Sequence, residues 1–250
     1  MQRVDKRQPD QMREVKITPN PLRYAEGSAL IEIGATKVLC AATLQETVPP
    51  HCIGTGRGWL TAEYAMLPRS SAQRIPRDGV RGKIGGRSHE IQRLIGRVLR
   101  SIFDLNKFGE RTFIIDCDVI EADGGTRTAS VTGGFVALAL AVHQLREKQK
   151  VGANLICDFI AATSVGIVEG QPVLDLCYLE DAQAEVDMNV AMTGAGHFVE
   201  LQGAAEKTHF TRSQLDALIA LGEAGCRRLI QLQKEILGIQ SFNNGQRQST

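Results

Sequence analysis

Gly124-Gly125-Thr126-Arg127-Thr128 combines residue types suited to holding an oxyanion. The glycines let the backbone turn sharply where side chains would clash. The helix predicted to follow presents unpaired N–H groups and the positive end of its dipole at its start. The Arg127 guanidinium and two threonine hydroxyls complete a phosphate cradle. The run lacks the Gly-Lys-Ser/Thr ending of a P-loop and the spacing of a dinucleotide fingerprint. A plain tight turn followed by a solvated arginine fits the same residues, so the cradle needs support from elsewhere in the chain.

Arg87, Asp181 and Asp187 supply that support. Arg87 stands immediately before a second predicted helix, beside another positive helix end. Asp187 and Asn189 are two apart on a predicted strand, so both face one side of the sheet. Asp181 lies in the connection leading to that strand. Two neighbouring carboxylates can hold Mg²⁺, which favours sites shared with substrate phosphates, or can supply a general acid. Otherwise Asp181 is a turn residue and Asp187 a solvent-facing strand residue.

Elements able to position these groups follow from the hydrophobic pattern. Phe113 to Ile120 reads as a half-buried strand leading into the Gly-Gly turn, and Val131, Phe135, Leu138, Val142 and Leu145 give the helix after it. A second helix opens at Ser88, with Ile91, Leu94, Ile95, Val98, Leu99 and Ile102 on one face and Arg93, Arg97 and Arg100 off it. Arg13 to Thr18, Ala29 to Ile33, Lys37 to Leu44 and Trp59 to Leu67 read as strands, with a hairpin at Gly34-Ala35. Later strands run over Phe159 to Val168, Pro172 to Leu179, Val186 to Met192 and His197 to Leu201. Thr211 and Gln214 form a capping-box pattern for a last helix, with Phe210 and Leu215 as its hydrophobic staple. The first dozen residues read as a polar extended arm, and the tail after Gly238 as frayed.

Composition sets the class. The 250 residues, 43% hydrophobic and 23% charged, suit one large globular domain or two small ones, with length for a sizeable core. No stretch approaches the roughly 20 apolar residues of a membrane span. The charged Met1 to Arg7 has no apolar run behind it, so it does not read as a signal peptide. Cys40, Cys52, Cys117, Cys157, Cys177 and Cys226 show no paired spacing and read as small buried hydrophobes in a reducing, cytoplasmic setting.

Net charge is only +1, yet nine basic residues against two acidic ones lie between Arg69 and Arg100. Arg69, Arg74, Arg77 and Arg81 fall in a Pro- and Gly-containing stretch that reads as a long surface loop. Such a run is either a solvated face or an electrostatic guide for a polyanion. Aromatic residues make up only 5% of the chain, so base stacking is not the expected grip.

Long runs in this order resemble the ribonuclease PH family: Gly58-Trp59-Leu60-Thr61-Ala62-Glu63-Tyr64-Ala65-Met66-Leu67-Pro68-Arg69, Gly86-Arg87-Ser88-His89-Glu90-Ile91-Gln92-Arg93, Asp123-Gly124-Gly125-Thr126-Arg127-Thr128-Ala129-Ser130, and Leu174 to Asp181 followed by Val186-Asp187-Met188-Asn189. The resemblance covers nearly the whole chain. It implies an α+β fold like the second domain of ribosomal protein S5, with mixed sheets packed against helices. It further implies a phosphate-dependent 3′-to-5′ exoribonuclease that trims transfer RNA precursors as a ring-shaped hexamer, a trimer of dimers. Carried over by position, Arg87, Gly125, Thr126 and Arg127 bind phosphate, while Asp181 and Asp187 are the catalytic acids and ligands of Mg²⁺ or Mn²⁺. Inorganic phosphate is then the co-substrate, and Arg69, Arg74, Arg77 and Arg81 attract the RNA. Ser88-His89 and the run Gln202-Gly203-Ala204-Ala205-Glu206-Lys207 depart from the family pattern at positions that flank this site. The competing expectations are a catalytically silent RNA-binding ring subunit and, with less support, a small-molecule phosphotransferase.

Overall fold

Strand and helix periodicities resolve into two sheets with helices against them in the computed structural model, which describes residues 3–77, 80, 82–152, 154–207 and 209–242. Strands β1 (Val15–Pro19), β2 (Gly27–Ile33), β3 (Thr36–Gln45), β4 (Trp59–Met66) and β5 (Thr112–Glu121) form one sheet in the order β1-β2-β3-β5-β4. Neighbours are antiparallel except β4 and β5. A parallel pair needs a crossover, and residues 67–111 supply it, carrying α1 (Gly86–Arg100) and α2 (Leu105–Phe108). Strands β6 (Ile160–Val168), β7 (Gln171–Leu174), β8 (Val186–Thr193) and β9 (Phe198–Ala205) form an antiparallel sheet in the order β7-β6-β8-β9. The α+β expectation holds.

Helix α3 (Thr126–Glu147) lies between the sheets, packed on β2 and β3 on one side and β6 on the other. Val131, Phe135, Leu138 and Leu145 of the expected stripe are buried, and so are Ala129, Val136, Ala137 and Ala141. Cover from two sides explains this burial around most of the helix. By length and composition α3 is apolar enough to cross a membrane, which corrects the expectation that no such stretch exists; 78% of its apolar window is buried within the protein.

Helix α1 matches its pattern, since every residue of the Ile91-to-Ile102 stripe is buried. Arg97 pairs with Glu200 at 2.7 Å, and Arg100 lies over the Trp59 ring. Helix α5 (Arg212–Leu237) packs on β6, β7 and β8 and carries the expected capping box at Thr211 and Gln214. Phe210 and Leu215 are half-buried against the core. All six cysteines are free, five of them buried.

Three expectations are corrected. Strand β7 ends at Leu174, because Asp175 takes a positive φ of +55° and its carboxylate is held by Arg13. The chain then turns into the short helix α4 (Tyr178–Asp181). The N-terminal arm is docked: Arg3 and Arg13 are 3% and 6% exposed, Arg3 meets both Glu180 carboxylate oxygens at 2.7 Å, and Arg7 reaches Asp175 and Glu180. Beyond the cap at Gly238, Ile239 and Phe242 pack on the core, the Phe242 ring 4.7 Å from that of Phe159. Residues 243–250 of the tail lie outside the described residues.

Candidate active site

The Gly-Gly turn forms where β5 must hand the chain to α3. Gly124 and Gly125 both take positive φ, +75° and +69°, and Gly125 is the N-cap of α3. That conformation disfavours any residue with a Cβ. A methyl at Gly124 would also lie 2.5 Å from the Leu176 carbonyl oxygen and 2.9 Å from the Tyr178 nitrogen. The turn therefore rests directly on the segment that leads to Asp181. Gly124→Ala is expected to cost more than about 2 kcal/mol of stability through the combined strain and clash; a urea denaturation curve superposing on that of the wild type would contradict this packing.

First-turn amides of α3 remain without helical partners. The two threonine hydroxyls expected to join them are engaged elsewhere. Thr126 Oγ1 shares a 2.9 Å hydrogen bond with the buried Tyr64 hydroxyl, and Thr128 Oγ1 donates to the Gly125 carbonyl at 2.9 Å. Backbone N–H groups and the Arg127 guanidinium are thus what the turn offers an anion. Arg127 Nη1 donates to Glu90 Oε1 and Gln202 Oε1, each at 3.2 Å, and Gln202 Nε2 donates to Glu90 at 3.0 Å. That triangle orients the guanidinium while Nε and Nη2 have no hydrogen bond among the described residues.

Arg87 lies within the first turn of α1, since the N-cap is Gly85 rather than a residue at Ser88. Its side chain is exposed and makes no hydrogen bond or ion pair with the described residues. Its charge is nevertheless felt at Asp181, Asp187 and Tyr64, as is that of Arg127. Asp181 ends α4, and Asp187 stands near the start of β8, opposite Gly166 of β6. The fold thus brings Arg87, Gly125, Thr126, Arg127, Asp181 and Asp187 into one site.

Burial pushes the Asp181 carboxyl above the ordinary aspartate range; Arg87 and Arg127 pull it down, and Glu206 pushes it up. Asp187 is pushed up to about 6, first by burial and then by the neighbouring charge of Asp181, with the two arginines offsetting part of the effect. Folded protein therefore binds more protons at Asp187 than unfolded chain between the unfolded value, about 4, and about 6. Stability falls with rising pH through that window. Asp187→Asn is expected to be more stable than the wild type at pH 8 by on the order of 1–3 kcal/mol, with the difference shrinking toward pH 4. Chemical denaturation at both pH values checks this, and a difference independent of pH would contradict it.

The donors fit a hard divalent cation. Among the described residues no group of three or more His, Cys, Asp or Glu converges as a complete cage. Mg²⁺ needs only one or two carboxylates when substrate phosphates fill other positions, and Asp181 and Asp187 supply two that repel each other without it.

Arg69, Arg74 and Arg77 are exposed on the connection between β4 and α1. A cleft lined by Lys37, Arg69, Ser70, Ser71, Glu121 and Asp123 places this loop beside the Gly-Gly turn. Arg81 lies outside the described residues. Glu90, Tyr64 and Asp123 join the site's surroundings without having been singled out. Gln202 and Glu206 come from the run expected to flank the site, but only the fold reveals the Gln202 contact with Arg127 and the charge that Glu206 turns on the two acids.

Residues 11–143 match the model for domain 1 of the 3′ exoribonuclease family, and residues 158–225 match domain 2. The chain belongs to the 3′ exoribonuclease family, and it is a phosphorolytic 3′-to-5′ exoribonuclease. It is 59% identical over 235 residues to Ribonuclease PH of Solibacter usitatus, covering 94% of this chain and 99% of the relative. It is 56% identical over 237 residues to Ribonuclease PH of Bacillus cereus, covering 94% and 97%. Among solved structures, rice (Oryza sativa) Rrp46 aligns with a TM-score of 0.76 at 20% identity, covering 94% of this chain and all of that one. The Archaeoglobus fulgidus exosome with RNA bound to the active site aligns with a TM-score of 0.77 at 21% identity, covering 92% of each chain. At that identity these two bear on the fold.

Proposed function

We propose that inorganic phosphate, held by Arg87, Arg127 and the first amides of α3, is the attacking group in removal of the last nucleotide of an RNA. One observation carries this assignment: guanidiniums from the first turns of two helices and carboxylates from α4 and β8 act on one another electrostatically. An oxygen of the phosphate attacks the terminal phosphodiester phosphorus, and the bond from phosphorus to the 3′ oxygen breaks. The 3′ oxygen takes a proton and leaves as the new RNA end, and a nucleoside diphosphate departs. Excess diphosphate reverses the reaction.

Arg87 and Arg127 neutralise charge on the phosphoryl oxygens, since positioning and electrostatics dominate such transfers. Asp187 is suited to holding the cation, Mg²⁺ or Mn²⁺, and the departing 3′ oxygen needs a proton that Asp181 can deliver. Asp181 can also share in holding the metal. A divalent cation bound by Asp181 and Asp187 supplies Lewis-acid stabilisation of the phosphoryl charge. Arg69, Arg74 and Arg77 offer positive charge to the RNA backbone, so binding weakens as salt rises. A cytoplasmic setting rests on the six unpaired cysteines, while transfer RNA 3′ ends as substrate rest on the family resemblance. So does a hexameric trimer of dimers. A silent RNA-binding subunit is not favoured, because Arg87, Arg127, Asp181 and Asp187 are all present.

The test is omission of phosphate. RNA incubated with protein and Mg²⁺ is expected to shorten only when phosphate is added, releasing nucleoside diphosphates. Monophosphate release, or shortening indifferent to phosphate, would remove the assignment.

A further inference from the structure

Thr36 and Arg13 lie behind the Gly-Gly turn, where neither can touch an anion held at its front. Thr36 is fully buried at the start of β3. Its hydroxyl donates to the Gly124 carbonyl at 2.7 Å and accepts from the Asp123 N–H at 2.9 Å. Arg13 Nη1 donates to the Asp123 carbonyl, and Nη2 approaches the Gly124 carbonyl at 3.4 Å. Arg13 is itself fixed by Asp175, with Nε to Oδ2 at 2.9 Å, Nη2 to Oδ1 at 2.7 Å and its own N–H to Oδ2 at 2.8 Å. Its Nη2 also lies 3.3 Å from the Leu176 carbonyl.

The consequence follows from peptide geometry. In a trans peptide the C=O of one residue and the N–H of the next belong to one plane and point in opposite directions. Donors that hold the Asp123 and Gly124 carbonyls on one side therefore aim the Gly124 and Gly125 N–H groups to the other. Glycine tolerates many orientations, so a Gly-Gly turn needs such external fixing to keep its donors convergent. We infer that Thr36 and Arg13 are positioning residues that aim the N–H groups of the Gly124-Gly125 turn at the bound phosphate. Arg13 does this while tying the turn to the Asp175-Leu176 segment that leads to Asp181. Phosphate affinity is then set partly by two side chains that never contact phosphate.

The inference rests on phosphate binding at this turn, and steady-state phosphorolysis with phosphate and RNA varied separately tests both. Thr36→Val, close in shape but without the hydroxyl, is expected to raise the KM for phosphate about tenfold, the worth of one well-placed hydrogen bond. The KM for RNA should stay within about twofold, and Thr36→Ser should restore the phosphate KM. Arg13→Lys, which loses the fork that reaches two carbonyls, is expected to shift the same parameter. Because KM does not depend on how much of the enzyme is active, partial misfolding lowers kcat and leaves this readout intact. Wild-type phosphate KM in both Thr36→Val and Arg13→Lys, or phosphate and RNA KM values rising together, would overturn the inference alone. Phosphate-independent turnover by the wild type would overturn the parent assignment instead, and this inference with it.

Discussion

Arg127→Ala should reduce phosphorolysis by about a thousandfold in kcat/KM, comparable to removing a preorganised cation or oxyanion donor from an acyl- or phosphoryl-transfer site. The loss should be specific. Glu90 and Gln202 keep their own 3.0 Å hydrogen bond without the arginine, and the Arg127 side chain makes no hydrogen bond to other described residues. Arg127→Lys should recover little, because an ammonium cannot span Glu90, Gln202 and an anion together as the planar fork does. Truncating Arg69 instead, exposed on the loop, should cost less than about tenfold and change mainly the salt dependence. Rates measured across phosphate concentrations decide the matter. Activity of Arg127→Ala within tenfold of the wild type throughout would show that the turn does not hold the reacting phosphate.

Asp187→Asn carries the second large effect. Turnover should fall by about 10²- to 10⁴-fold, the scale of losing a positioned catalytic group, here a carboxylate that would hold the divalent cation. RNA affinity, measured by anisotropy without phosphate, should persist because the arginines are untouched. The same substitution removes a buried, repelled carboxylate, so the inactive variant should be the more stable one at pH 8. That combination separates a chemical role from a structural one, since misfolding lowers activity and stability together. A variant that keeps turnover would assign the chemistry to Asp181 alone or to neither acid.

The parts of this fold that were legible in the sequence are those governed by one-sided burial. Helix α1 packs on β4 and α3 through one stripe and leaves Arg93 and Arg97 outside, so its period showed plainly. Helix α3 is covered by both sheets, so its stripe from Val131 to Leu145 marked the helix but not the burial of its remaining faces. The register of β7 was over-read to Leu179 because apolar residues continue past Leu174, while the turn there is made by an ion pair between Asp175 and Arg13, far apart in sequence. Arg3 and Arg13 drew no attention for the same reason: their carboxylate partners Glu180 and Asp175 come from the other half of the chain. At the site, Arg87, Arg127, Asp181 and Asp187 were marked by residue type and neighbouring motif. The network of Glu90, Gln202, Tyr64, Thr36 and Arg13 that holds them was not, because ordinary polar residues acquire those contacts only through folding.

Supplying phosphate labelled with ¹⁸O at every oxygen, and weighing the released nucleotide by mass spectrometry, puts the question to the chemistry itself. If the anion clasped by the two guanidiniums is the nucleophile, all of its label ends up in the β-phosphoryl group and bridging oxygen of a nucleoside diphosphate. Unlabelled monophosphate, with label found only when the water is enriched, would mean that water attacks and that the anion at the paired helix ends is a bystander.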